Sequence, residues 1–282
     1  MSDTVSVFGP VQPRVRKVDL DRPWFWLAAG WSDLLRAPKV SLAYGAALVV
    51  LSLLIGLGLW LGGAFYLLLP LTAGFSFVAP LLAVGLYETS RLLAQGRTPT
   101  LALALAAYRR NAGQLALLGL ALALLHLFWV RVATLLYAVF FEAQAPALPQ
   151  LADLLLSPAA LPFLIVGGVI GFFLAALAFA LAAVSIPMLI DRDVGVFAAI
   201  ATSVVAVAEN VRPMALWAAL IAFFTALGLA TFFLGLAIVL PLVAHATWHA
   251  YRDLVVADPQ ASDAAASQPS VAALSSSNGP AT

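Results

Sequence analysis

The sequence predicts an all-α fold, a polytopic transmembrane helix bundle of six spans, with interfacial amphipathic helices before spans 1, 3 and 5. Three observations predict it. The 282-residue chain is 63% hydrophobic and only 10% charged, where a soluble domain carries about 25% charged residues. A chain of this length cannot hide so much apolar surface, so lipid must be its solvent. Apolar runs of the length that crosses a bilayer, about 20 residues, recur along it. Finally, all but one of the fourteen Lys and Arg residues fall in connections that a single assignment of spans places on one side of the membrane.

The elements follow in order. Residues 1–20 are polar and charged, without an apolar core or a small-residue cleavage site, and read as a cytoplasmic N-terminal segment. Residues 21–255 are the six-span membrane domain. Its first span covers residues 40–60 and is broken by Gly62-Gly63; the second covers 64–87, the third 115–141 and the fourth 160–190. Residues 214–248 stay apolar for roughly 50 Å of helix, too long for one crossing. A break at residues 228–231 divides them into the fifth and sixth spans.

The N-terminal side carries Arg14, Arg16, Lys17, Arg22, Arg36 and Lys39, and the second-to-third connection carries Arg91, Arg97, Arg109 and Arg110. Arg192 and Arg212 lie between the fourth and fifth spans, and Arg252 follows the sixth. The remaining connections hold no cation, and the longest holds Glu142 and Asp153. By the positive-inside rule both termini are cytoplasmic. Trp24, Trp26, Trp31, Trp217 and Trp248 fall near the inner interface and Trp60 near the outer one, as an aromatic belt. Residues 256–282 are rich in Ala, Ser and Pro and read as a disordered cytoplasmic tail.

Before each odd span lies a segment too polar to cross and too apolar to be free. In the first, Asp21 caps a helix with Pro23 near its start, and Trp24, Leu27, Ala28, Trp31 and Leu34 line one face. In the third, Asp193 is the cap and Phe197, Ile200, Ala201, Val204 and Ala208 form the face. The middle copy, residues 101–108, is rich in Ala and Leu. Each ends in a polar elbow, at residues 36–39, 109–111 and 209–213, and each reads as a helix lying in the interface. Pro80, Pro187 and Pro241 interrupt the even spans, where a proline frees a carbonyl and kinks the helix. The spacing suggests a unit of interfacial helix, outward span and kinked inward span, used three times.

Four stretches carry a resemblance: Gly30-Trp31-Ser32-Asp33, residues 80–91 (PLLAVGLYETSR), residues 187–194 (PMLIDRDV) and residues 245–252 (HATWHAYR). They resemble a bacterial family of predicted integral membrane proteins, a domain of unknown function. The resemblance spans roughly residues 15–255 and implies an inner-membrane protein. It supplies no substrate and no catalytic residue.

Candidate chemistry gathers at the inner mouth, where Glu88, Arg91, Asp191, Asp193, His245, His249 and Arg252 converge from the three even spans. Glu88 and Arg91, three apart, also read simply as a helical ion pair. His126 and Arg131 are the polar residues within the third span, and Arg131 either snorkels to headgroups or meets an anion. Two histidines four apart can ligate a metal, but a zinc-protease helix needs Glu beside the first, and Ala246 stands there. Paired histidines also hold b-type haem, so His126, His245 and His249 are the residues through which haem or a metal would bind. No cofactor is expected.

The chain has no cysteine, which excludes disulfides, thiolate metal sites and cysteine nucleophiles. It also lacks phosphate-loop, zincin, nucleophile-elbow and dinucleotide patterns. The expected role is a non-enzymatic accessory or scaffold component. Its partners would be the bilayer, anionic lipid headgroups, other membrane proteins or further copies of itself, and not nucleic acid. A small solute transporter or channel is the alternative, and a haem- or metal-binding membrane subunit the second.

Overall fold

Pro38 and Gly62-Gly63 punctuate the chain where the sequence says they should. The computed structural model describes residues 15–141 and 157–256, and among these every named element is helical, apart from one isolated β-bridge between Val15 and Val255. The expected disorder of the tail beyond Val256, and Glu142 and Asp153 of the outer connection, lie outside the described residues.

Helix α1 (Arg22–Arg36) has Asp21 as its N-cap residue and a proline in its first turn. One residue, Ala37, separates it from α2 (Pro38–Leu61). After the turn at Gly62-Gly63, where Gly63 takes φ +65°, come α3 (Leu68–Leu82) and α4 (Val84–Ala94). The second unit is α5 (Leu101–Ala106), α6 (Ala112–Phe141), α7 (Leu161–Ala182) and α8 (Ser185–Asp191). The third is α9 (Val196–Glu209), α10 (Val211–Ala230) and α11 (Leu236–Leu254). The order short helix, long helix, returning helix thus occurs three times. Its first and third elbows share a backbone conformation, with φ −129° and ψ 53° at Ala37 and φ −127° and ψ 41° at Asn210.

Among the described residues four helical stretches are long and apolar enough to cross a membrane: Pro38–Leu61, Ala112–Phe141, Pro158–Asp191 and Val211–Ala230. The other two predicted spans are built differently. The second is split, with α3 only 15 residues long before the break at Ala83. The sixth, α11, has 19 residues whose last turns carry His245, His249, Arg252 and Asp253.

The prolines act unequally. Helix α3 stops two residues beyond Pro80, and its freed Leu81 and Leu82 carbonyls accept from the Tyr108 hydroxyl at 3.0 and 3.1 Å, Leu82 also from Tyr44 at 2.7 Å. Ahead of Pro187 the helix breaks at residues 183–184, and the Val184 N–H donates to Ser203 of α9. These partners replace the lost ladder bonds, which lipid could not. Helix α11 runs unbroken through Pro241. Pro241 leaves the Ala237 carbonyl without its usual donor, and Gly45 of α2 packs so closely on that carbonyl that a Cβ would overlap it.

The chain closes on itself: α11 packs against α1 and α2, α4 against α5 and α8 against α9. At Gly30 an added Cβ would sit 2.6 Å from the Ala246 backbone nitrogen, so α1 and α11 touch backbone to backbone.

The apolar faces read on the two short helices look mainly outward. On α1, Trp24, Ala28 and Trp31 are exposed, while Leu27 and Leu34 of the same face are buried together with Trp26, Gly30 and Asp33. In α9 the predicted Phe197 and Val204 face is exposed, while Val196, Ala199, Thr202, Ser203 and Ala206 pack inward. The reason is that lipid removes the hydrophobic drive between helices, so small residues permit close packing while bulky apolar ones can face lipid. Asp193 does not cap α9: Gly195 holds that position, and the Gln114 side chain of α6 accepts the Val196 N–H at 2.8 Å. The aromatic belt divides too. Trp24, Trp31 and Trp60 are exposed, but Trp26, Trp217 and Trp248 are core, with Trp26 and Trp217 edge to face at 5.9 Å.

Candidate functional site

The ends of the returning helices meet at the arginine-rich end of the molecule, and the polar residues there fall into three groups. The first joins four helices. The fully buried His245 of α11 is hydrogen-bonded by both ring nitrogens, Nε2 with Ser41 of α2 at 2.9 Å and Nδ1 with Ser90 of α4 at 2.8 Å. One turn on, His249 Nε2 meets the Asp33 carboxylate of α1 at 2.8 Å. Burial pushes the Asp33 carboxyl up, but hydrogen bonds from His249 and Ser90 outweigh it and hold the group below its ordinary value. Each serine hydroxyl can donate or accept, so the pair satisfies His245 in either tautomer. Ser41 and Ser90 are fully buried, so neither hydroxyl faces a substrate.

The second group is Glu88 and Arg91 on α4. Their side chains form a two-pronged pair at 2.7 and 2.8 Å, both buried, with Arg110 at 3.8 Å on the rim. The third surrounds the end of α11. Asp191 accepts from the Tyr251 hydroxyl at 2.8 Å and from Arg252 at 3.3 Å. Asp253 is held by Arg16, by Arg22 at 2.7 Å and by the Trp26 indole N–H at 2.9 Å.

Of the residues expected at this mouth, Glu88, Arg91, Asp191, His245, His249 and Arg252 are therefore brought to one end, but as separate pairs, not as one converging cluster. Asp193 is exposed. His126 lies elsewhere, its Nδ1 against the Gly74 carbonyl of α3 at 2.8 Å, with Trp129 donating to the Pro70 carbonyl at 3.0 Å. Arg131 is exposed and has no ion-pair or hydrogen-bond partner among the described residues. Also among the described residues, no group of three or more His, Asp or Glu is placed to hold a metal ion.

Sequence reasoning missed Asp33, Ser41, Tyr44, Ser90, Tyr108, Tyr251 and Asp253. All are polar residues within or beside the membrane domain, and in lipid such a residue needs a partner; that was the available signal.

A polar layer of helix ends beneath long apolar helices is the build of an integral membrane protein. Residues 68–191 match a family of predicted integral membrane proteins, DUF2189. The match bears out the resemblance carried by residues 80–91 and by the first part of residues 187–194. The stretches at Gly30-Trp31-Ser32-Asp33 and at residues 245–252 fall outside it, although the fold packs them on the matched part through the Gly30 contact and the Ser90 bond. The family is one of unknown function. No curated protein and no solved structure matches the chain.

Proposed function

We propose that this is a six-span protein of the bacterial inner membrane, with both termini cytoplasmic, that serves as a non-enzymatic accessory or scaffold component. One observation carries the reading: the titratable groups expected to form a reactive mouth are spent on one another. Glu88 is held by Arg91, Asp33 by His249, Asp191 by Tyr251 and Arg252, and His245 by two hydroxyls. A general acid or base needs a free proton position within reach of a substrate, and buried, mutually satisfied groups instead fix helix positions. The exposed apolar stripe of Trp24, Phe25, Trp31 and Leu35 on α1 suits a helix lying in the interface, and the even spans suit short crossings completed by α4 and α11.

Two experiments test this. The chain has no cysteine, so an impermeant thiol reagent on intact cells reports single substitutions directly. Ala145→Cys is expected to label and Ala266→Cys to stay protected; the reverse pattern overturns the orientation, and labelling of both removes the even span count. Gentle solubilisation and native purification should then recover a partner of fixed stoichiometry.

A transporter is the second reading, supported by the helix breaks at Ala83 and at residues 183–184, a device transporters use to expose backbone groups at a site. Solute flux into vesicles that Glu88→Gln abolishes would replace the scaffold reading with it. Haem or metal binding fits poorly, because His245 spends both ring nitrogens on hydroxyls and His126 bonds a different helix.

A further inference from the structure

Around the end of α11 an open cleft of about 170 Å³ is lined by Arg16, Arg192, Arg252, Asp253, Val255 and Val256. By the same kind of measure one water needs about 10–15 Å³, so the cleft admits a polyatomic ion. Its three arginines come from three places in the chain: the N-terminal segment, the α8–α9 connection and the last turn of α11.

Their partners decide what the cleft wants. Arg192 donates from Nε to the Tyr251 hydroxyl at 3.0 Å, and from Nη2 to the carbonyls of Val256 at 3.2 Å and Val255 at 3.5 Å. These oxygens are neutral. The guanidinium is thus aimed and braced, and among the described residues no carboxylate is in salt-bridge contact with it and its Nη1 donors have no partner. Arg16 bonds Asp253 and Arg252 bonds Asp191, each through part of its donor set, and both side chains are more than half exposed. Arg22 also spends itself on Asp253. The lining of the cleft itself thus holds three guanidiniums, of Arg16, Arg192 and Arg252, against one carboxylate, Asp253. Planar forks on a rigid frame suit tetrahedral oxyanions, which they bind in bidentate fashion.

We propose that the Arg16–Arg192–Arg252 cleft is a binding site for a phosphate group, either an anionic phospholipid headgroup or a free phosphate. Arg192 is its principal ligand, with Arg16 and Arg252 closing over the anion. The headgroup source rests on the topology proposed above, which sets this end at the cytoplasmic leaflet; the phosphate site itself does not. Failure of that topology would leave phosphate binding intact, so the two can fail separately.

The test uses the full-length protein with two probes at matched ionic strength. One is inorganic phosphate added to detergent-solubilised protein. The other is a nanodisc of phosphatidylcholine with or without phosphatidic acid, with bound lipid counted by native mass spectrometry. Saturable binding of either probe is expected, and the arm that responds identifies the source. Arg192→Gln should weaken binding at least tenfold, while Arg97→Gln, an exposed arginine outside the cleft with the same change in charge, should change it less than twofold. Arg192→Lys keeps the charge and is expected to recover part of the binding. Should Arg192→Gln fail to fold, Arg252→Gln replaces it, with at least a threefold loss expected. No saturable binding to either probe, or equal losses in the cleft variant and in Arg97→Gln, overturns the proposal.

Discussion

Helices α4 and α7 invert the rule that holds in water. Every residue of α4 from 84 to 93 is buried, including Glu88, Thr89, Ser90 and Arg91. In the apolar stretch that contains α7, only 6% of the most hydrophobic window is buried, and Phe172 and Phe173 stand 68% and 66% exposed. In lipid an exposed Phe costs nothing, whereas an unpaired carboxylate costs several kcal/mol. Polarity therefore does the sorting here: residues that need partners are drawn into the protein, and residues that need none are left outside.

If that is right, the largest loss comes from the most polar buried contact. Arg91→Gln leaves Glu88 buried without its countercharge, which typically costs about 3–5 kcal/mol, and the melting temperature in detergent should fall accordingly. Loss of little or no stability would mean that this end is wetter than the packing implies. Next in size are the glycines of α2. Gly45→Ala pushes a methyl into the Ala237 carbonyl, an overpacking worth about 1–3 kcal/mol, whereas Gly56 has nothing within 4 Å of an added Cβ. Gly56→Ala should leave the fold unharmed or raise helix stability by up to about 1 kcal/mol. Equal effects at the two sites would erase the distinction between the ends of one helix.

The comparison also explains what was legible in the sequence. The long helices α2, α6 and α10 follow from runs of apolar residues, and Gly62-Gly63 and the break after Ala230 follow from turn chemistry, because hydropathy reports contact with lipid. The apolar stripes of Trp24 and Phe197 were legible for the same reason, whereas the contacts through Gly30, Ala199 and Ser203 were not, because small residues leave little pattern in a hydropathy reading. At the site, spacing along one helix revealed Glu88 with Arg91 and His245 with His249. It could not reveal Ser41 or Asp33, which meet the histidines only because α11 returns across the start of the chain.

Smaller effects sharpen the picture further. The Asp33 carboxyl sits below its ordinary value, so its bonds stabilise the fold above the unfolded value near 3.9. That contribution is lost as pH falls through the lower folded value. Thermal melts from pH 7 to pH 3 should show the wild type more stable than Asp33→Asn at neutral pH, with the gap closing below about pH 4. A gap that persists at pH 3 would assign the difference to packing. Smallest of all is Arg131→Gln, expected to leave the melting temperature unchanged because Arg131 is exposed and has no partner among the described residues; a marked loss would place it against another chain.

The sorting of polar groups inward and apolar groups outward can be read most directly by a photoreactive probe dissolved in the lipid phase, with adducts mapped by mass spectrometry. Phe172 and Phe173 of α7, Phe197 of α9 and Trp24 of α1 are expected to carry label, and residues 84–93 of α4 none. Label on α4 with α7 silent would contradict the account.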